Sequence, residues 1–153
     1  MREHPDHHDA ELLLRLYDLR REVKLRQARE WFEIEFQAKS LEDFWLRWPA
    51  GFQENAFFRM VVSYWETAAS IVNHGLITGD FFFENTGEFW AVWEKIKHLA
   101  PAMRENRKNP FLWSNLENLA GKYEQWMAKR APEALAAMRR QIQEAMSKKP
   151  ASR

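Results

Sequence analysis

The chain has 153 residues, 29% of them charged and 46% hydrophobic, with a formal net charge of +1. That balance suits one soluble globular domain with a single core, and the even charge argues against a dedicated nucleic-acid binder, which would carry a basic stripe. With no cysteine, disulfides, thiolate chemistry, iron–sulfur clusters and Cys-ligated zinc are excluded.

The leader "MREHPDHHDA" carries no apolar core of a secretory signal, and residues 1–8 read as a disordered leader. Its His4, His7, His8, Asp6 and Asp9 have the chemistry to hold Zn²⁺ or Ni²⁺, but a chain end offers no rigid scaffold for it. Asp9 reads as the N-cap of the first helix, whose seam is Leu12, Leu16, Leu19 and Val23. The next apolar set, Leu25, Ala28, Phe32 and Phe36, lies on another face, so a break is predicted near Arg21–Lys24. "SLEDFWLRWP" reads as a short helix capped by Ser40 and stopped by Pro49.

"ENAFFRMVVSYWETAASIVNHGLI" is the longest apolar run, too short and too often interrupted to span a bilayer. Its polar residues Arg59, Ser63, Glu66, Thr67, Ser70, Asn73 and His74 fall within about 120° of a helical wheel at 100° per residue. More than half the circumference is apolar, which predicts a central buried helix near residues 54–74, ended by Gly75 as a left-handed cap. "TGDFFFEN" suits a further turn of helix. "NTGE" at Asn85–Glu88 resembles a capping box opening a helix with the seam Phe89, Trp93, Ile96, Leu99 and Met103, and Pro101 kinks or restarts it. Asn109 and Pro110 read as the start of the next helix, and Gly121 inside it suggests a close helix crossing. Residues 132–149 read as a C-terminal amphipathic helix with the stripe Leu135, Met138, Ile142 and Met146, which packs as the last helix, mediates self-association or reaches a membrane surface.

The reading is therefore all-α: one domain over residues 1–153, a bundle of six to eight helices. Two accounts of the polar arc compete. In one it is a partly buried seam that staples helices together, and Arg59→Ala then lowers stability clearly. In the other, Arg59, Glu66, Asn73 and His74 are the polar groups of a ligand pocket, with Trp65 and Trp93 in its aromatic wall. Small residues such as Ser63 and Ser70 admit the close approach that either needs. Catalytic constellations are missing: no Gly-x-Ser-x-Gly, P-loop, dinucleotide fingerprint or His-Glu-x-x-His appears, and Glu94 with His98 is one pair without a second. Arg104, Arg107 and Lys108 before a helix start have the chemistry to take a phosphate, against the plainer reading of a solvated helix end. No cofactor, metal or catalytic residue is assigned.

"FFRMVVSYWETAASIVNHGLITGDFFFENTGEFWAVWEKIK" and "NPFLWSNLENLAGKYEQW" resemble an uncharacterised bacterial all-helical family of unknown function, over roughly residues 55–127. The resemblance implies a helical fold and a bacterial cytosolic setting, and carries no catalytic assignment. Some members have an N-terminal membrane segment that this sequence lacks. The functional expectation is a soluble, cytoplasmic, non-enzymatic binding, regulatory or scaffold module, with a protein partner or a second copy of itself, no nucleic acid and no integral membrane segment. The alternative is a small-molecule-binding or hydrolytic protein that uses the polar arc.

Overall fold

The computed structural model describes residues 4–148; the first three residues of the expected leader and the last residue of the expected C-terminal helix, Lys149, lie outside them. The chain is all-helical over that range. In order it forms α1 (His7–Arg20), α2 (Val23–Ile34), α3 (Leu41–Arg47), α4 (Gln53–Asn73), α5 (Gly79–Asn85), α6 (Glu88–Ile96), a 3₁₀ turn (Lys97–Leu99), α7 (Ala100–Arg107), α8 (Ser114–Arg130) and α9 (Ala134–Ser147). Taking α6, the 3₁₀ turn and α7 as one helix bent ahead of Pro101 leaves eight helices, inside the expected range.

The central helix is α4, packed against α2 on one side and α8 on the other. Phe58, Val61, Val62, Trp65, Ala68, Ala69 and Val72 are buried on it, a spacing of three and four that turns one broad face inward. Around α4 the core divides into two aromatic groups. Trp31, Phe32 and Phe36 of the α2 region meet Phe44, Trp48 and Phe58, with the Phe44 and Phe58 rings 4.7 Å apart. Phe82, Phe83 and Phe89 meet Tyr123 and Trp126 of α8, and Trp65 reaches this second group through Phe89. The indole N–H of Trp90 donates to Glu124 at 3.0 Å. Those of Trp31 and Trp65 are buried without a partner. Burying an aromatic side chain of 150–250 Å² gains about 4–6 kcal/mol, which exceeds the roughly 1–3 kcal/mol cost of an unmet donor.

Several local expectations are corrected. The N-cap of α1 is Asp6, so the helix starts inside the expected leader; Asp9 is the third residue of the same capping box. Asp9 is fully buried and also accepts from the Thr78 N–H at 2.8 Å, tying α1 to the start of α5. The chain breaks where expected, between Arg20 and Val23, but this leaves Leu19 and Val23 more than half exposed while Leu12 and Leu16 pack inward. Asn85 does not cap α6; its side chain donates back to Phe81 O within α5, and Gly87 is the N-cap. Asn109 and Pro110 do not start α8. The Asn109 side chain accepts from the Phe111 N–H, a turn that delays the helix to Ser114. Gly121 lies exposed with nothing close to it, so no helix crosses there. The Ser40 cap and the Gly75 cap are as expected, Gly75 at φ +78° with Leu76 N–H donating to Ile71 O at 3.1 Å.

Candidate functional site

The polar arc of α4 resolves into a packed edge and a solvent edge. Asn55, Glu66 and Asn73 lie within about 20° of one another on the helical wheel, and each serves the backbone of another segment. The Asn55 amide donates to Trp48 O at 2.9 Å. Glu66 accepts from the Asn115 and Leu116 N–H groups at 3.1 and 2.8 Å. Asn73 donates to Asn115 O at 3.0 Å and accepts from Lys122. Glu66 does the capping work that the N-cap residue of α8, Trp113, leaves undone; Trp113 sits at φ +62° with no side-chain cap bond. A carboxylate there satisfies two orphan donors and complements the helix dipole. The start of α8 is thus neither solvated nor open to an outside anion: its amides are met by the protein's own Glu66.

Farther round the wheel, Arg59, Ser63, Thr67 and His74 are exposed. Ser63 bonds to Met60 O of its own helix, and the His74 ring meets Ser70 O at 2.8 Å. Arg59 donates through Nε to Asn55 Oδ1 at 3.1 Å and forms no ion pair among the described residues.

The amino-terminal half of the arc forms one wall of an open cleft of about 840 Å³. α3 contributes Phe44 and Trp45, α7 contributes Met103 and Arg107, and the loop before α8 contributes Asn109, Phe111, Leu112 and Trp113. This loop is shaped by backbone of unusual sign. Lys108 ends α7 at φ +54° and Trp113 starts α8 at φ +62°, positions that residues with a Cβ seldom occupy. Arg104 braces the loop by donating to Leu112 O at 2.8 Å and to Glu117 at 3.1 Å. Arg107 has no such bond and lines the cleft.

Most polar groups of the cleft are therefore committed: Asn55 to Trp48, Glu66 to the α8 amides, Asn109 to its own turn. The guanidiniums of Arg59 and Arg107 are left over, above an aromatic and aliphatic lining. Of the six residues proposed from sequence, Arg59 and Glu66 reach the cleft. Asn73 and His74 lie beyond it toward the end of α4, while Trp65 (1% exposed) and Trp93 (8% exposed) are core residues that do not line it. Asn55 and Arg107 were missed as cleft residues. Asn55 had a signal, since it falls on the wheel beside Asn73; Arg107 depends on a loop that wheel geometry cannot fold.

Two other charged groups are buried. Lys95 (7% exposed) donates to Phe32 O and Glu33 O at 2.8 and 2.9 Å, capping the end of α2. Burial pulls its pKa down to about 8, against the weaker opposing pull of Glu33. Glu94 (8% exposed) is held by Lys97 and by both nitrogens of an Arg139 fork from α9, which also reaches Glu124 at 2.8 Å. Burial pushes the Glu94 carboxyl up, but the hydrogen bonds from Arg139 and Lys97 outweigh it and leave the pKa below the ordinary value. His98 turns away to Ala38 O, so Glu94 and His98 do not converge. Among the described residues, no three His, Asp or Glu side chains group as a metal site, and no helix is long and apolar enough to cross a membrane.

Comparison with known proteins adds a family. No curated protein and no solved structure shows significant similarity to the chain. Residues 5–123 match the family described as Domain of unknown function (DUF4760), so that α1 to the middle of α8, with the whole cleft, fall inside the match and α9 lies beyond it. The chain belongs to this family of domains of unknown function.

Proposed function

We propose that the protein is a non-enzymatic binding module whose cleft between α3, α4, α7 and the 108–113 loop takes a ligand with an apolar body and an anionic end. The observation that carries this reading is the pair Arg59 and Arg107, free of ion pairs among the described residues at an apolar cleft of about 840 Å³. That volume is within the usual range for small-molecule sites, which are mostly apolar with a few polar groups to orient the ligand. A guanidinium is the best-matched side chain for a carboxylate or phosphate, because it can donate two parallel hydrogen bonds. The chemistry fits a medium-chain carboxylate: its head meets the arginines, and its chain lies against Trp45, Met60 and Phe111. A cytoplasmic, bacterial setting belongs to the same reading, and the cysteine-free composition is compatible with it.

Thermal shift and calorimetry with decanoate, against decanol as the uncharged control, test the proposal. Decanoate is expected to bind and raise Tm, decanol to do neither, and Arg59→Ala with Arg107→Ala to abolish the decanoate effect in a folded protein. Equal responses to acid and alcohol would sink the anion reading. A second reading, in which an acidic segment of a protein partner or a second copy enters the cleft, is favoured by Phe111, which lies 75% exposed at its rim. Light scattering of the wild type and Phe111→Ser separates this: a dimer dissolved by the substitution supports it, and a monomer throughout removes the second-copy version.

A further inference from the structure

Away from the cleft, α2, α4, α6 and α9 line a smaller open cavity of about 410 Å³. Its apolar lining includes Phe32, Val61, Val92 and Ile142, and the largely buried Lys95 lines it too. The amine is fixed on two sides by the Phe32 and Glu33 carbonyls. The charged groups around the cavity are Arg29 and Glu33 from α2 and Glu88 from α6; α4 presents Val61, and α9 presents Gln141, Ile142 and Ala145. Arg29 and Glu88 are taken up with each other, in a two-pronged pair at 2.7 and 2.9 Å. Lys95 makes no ion pair among the described residues. A salt-bridged lysine keeps its proton; this one is held by neutral acceptors instead.

We propose that Lys95 is a nucleophilic amine that captures small aldehydes in this cavity as an imine. A neutral amine has two N–H bonds and one lone pair. With both hydrogens given to the α2 carbonyls, the lone pair is the remaining corner of the nitrogen. Desolvation in an apolar site is a recognised way to activate a lysine toward carbonyl carbon, and burial acts here in that direction. In the capture step the nitrogen lone pair forms a C–N bond while the carbonyl π pair moves to oxygen. A proton passes from nitrogen to that oxygen, giving the carbinolamine. Loss of the hydroxyl with a second proton, as water, leaves C=N, with no oxidant or reductant required. The cavity admits a short aliphatic or aromatic tail against Phe32, Val92 and Ile142. The imine so formed has no N–H, and one proton taken up from water restores only a single N–H, so at least one of the two α2 carbonyls gives up its donor, and capture loosens the end of α2.

The test uses butanal with cyanoborohydride at pH 8, followed by peptide mapping to rank the lysines by rate of trapping. An ordinary lysine at that pH is about 0.4% neutral, whereas one with a pKa of about 8 is half neutral. Even with slower entry and lower intrinsic nucleophilicity, Lys95 is expected to trap at least about tenfold faster than exposed Lys24 and Lys129. The preference is expected to vanish in urea. Trapping at Lys95 no faster than at Lys24 in the native protein overturns the proposal. Because all sites are compared within the wild-type chain, the result does not depend on a variant that folds. Lys95→Arg, which keeps the α2 contacts, is expected to lose the fast-trapped peptide while keeping its Tm within a few degrees.

Discussion

Asn55, Glu66 and Asn73 occupy one line along α4, and Ser63, Thr67 and His74 occupy the line beside it, yet their energetic roles differ sharply. The first three each satisfy backbone groups of another segment; the others meet water or their own helix. Glu66→Ala would leave the Asn115 and Leu116 amides without acceptors at a helix start that has no cap of its own. The expected loss is about 1–2 kcal/mol, typical of a lost N-cap. Arg59→Ala removes one hydrogen bond from an exposed side chain, and its effect is expected within about 0.5 kcal/mol. Urea denaturation of both variants checks this, and a larger loss at Arg59 than at Glu66 would reverse the division of the arc. Asn55, Glu66 and Asn73 thus act as a seam through their bonds to neighbouring backbone, while Asn55 and Glu66 also line the cleft beside the exposed Arg59. The wheel places all of these residues on one arc, but it cannot tell which edge α8 covers. That depends on the turn at Asn109 and the left-handed Trp113, which set where α8 begins.

At the scale of elements, the strength of a helix's attachment does not follow from its apolar stripe alone. Of the stripe expected on α9, Leu135, Met138 and Ile142 pack against the core and Met146 does not, and no residue of the helix is fully buried. Its ion-paired anchor is Arg139, forked onto Glu94 of α6 and bonded to Glu124 of α8, with the guanidinium 5.4 Å from the Trp90 ring. Arg139→Ala leaves Glu94, a nearly buried carboxylate, with Lys97 as its remaining partner. Breaking a fully buried pair costs about 3–5 kcal/mol; with Arg139 36% exposed, about 2 kcal/mol is expected. Hydrogen exchange should then rise across residues 134–147 before the rest of the chain opens. Unchanged protection in α9 would show that its apolar face suffices. The existence and order of the helices, the break after Arg20 and the Ser40 and Gly75 caps were legible because propensity and period are local, whereas the starts of α1, α6 and α8 differ from the caps expected at Asp9, Asn85 and Asn109. Arg139 was legible only as a charge outside the stripe, because its partners lie 15 and 45 residues away in sequence.

For the whole molecule, buried ionisable groups set a dependence of stability on pH that no single element shows. Lys95 titrates at about 8 in the folded protein, against an ordinary value of 10.5. A depressed lysine pKa means that, between these values, the unfolded chain binds more protons than the folded one. Stability therefore rises with pH across that window, and below pH 8 the cost of the buried charge is carried in full. The gain approaches about 3 kcal/mol by pH 10.5, at 1.36 kcal/mol per pKa unit. Tyr64 works the other way: burial raises it to about 12 and raises Tyr123 as well, so above pH 10 the folded state holds phenolic protons that the unfolded chain releases. Stability is expected to climb from pH 8, peak near pH 10 and fall beyond it. Urea unfolding of the wild type and Lys95→Met at pH 7, 8.5 and 10 isolates the lysine. The wild type should gain on the variant by about 2–3 kcal/mol between the first and last of these. Parallel curves would mean that Lys95 remains charged in the fold, and would remove the basis for its reactivity as a neutral amine at pH 8.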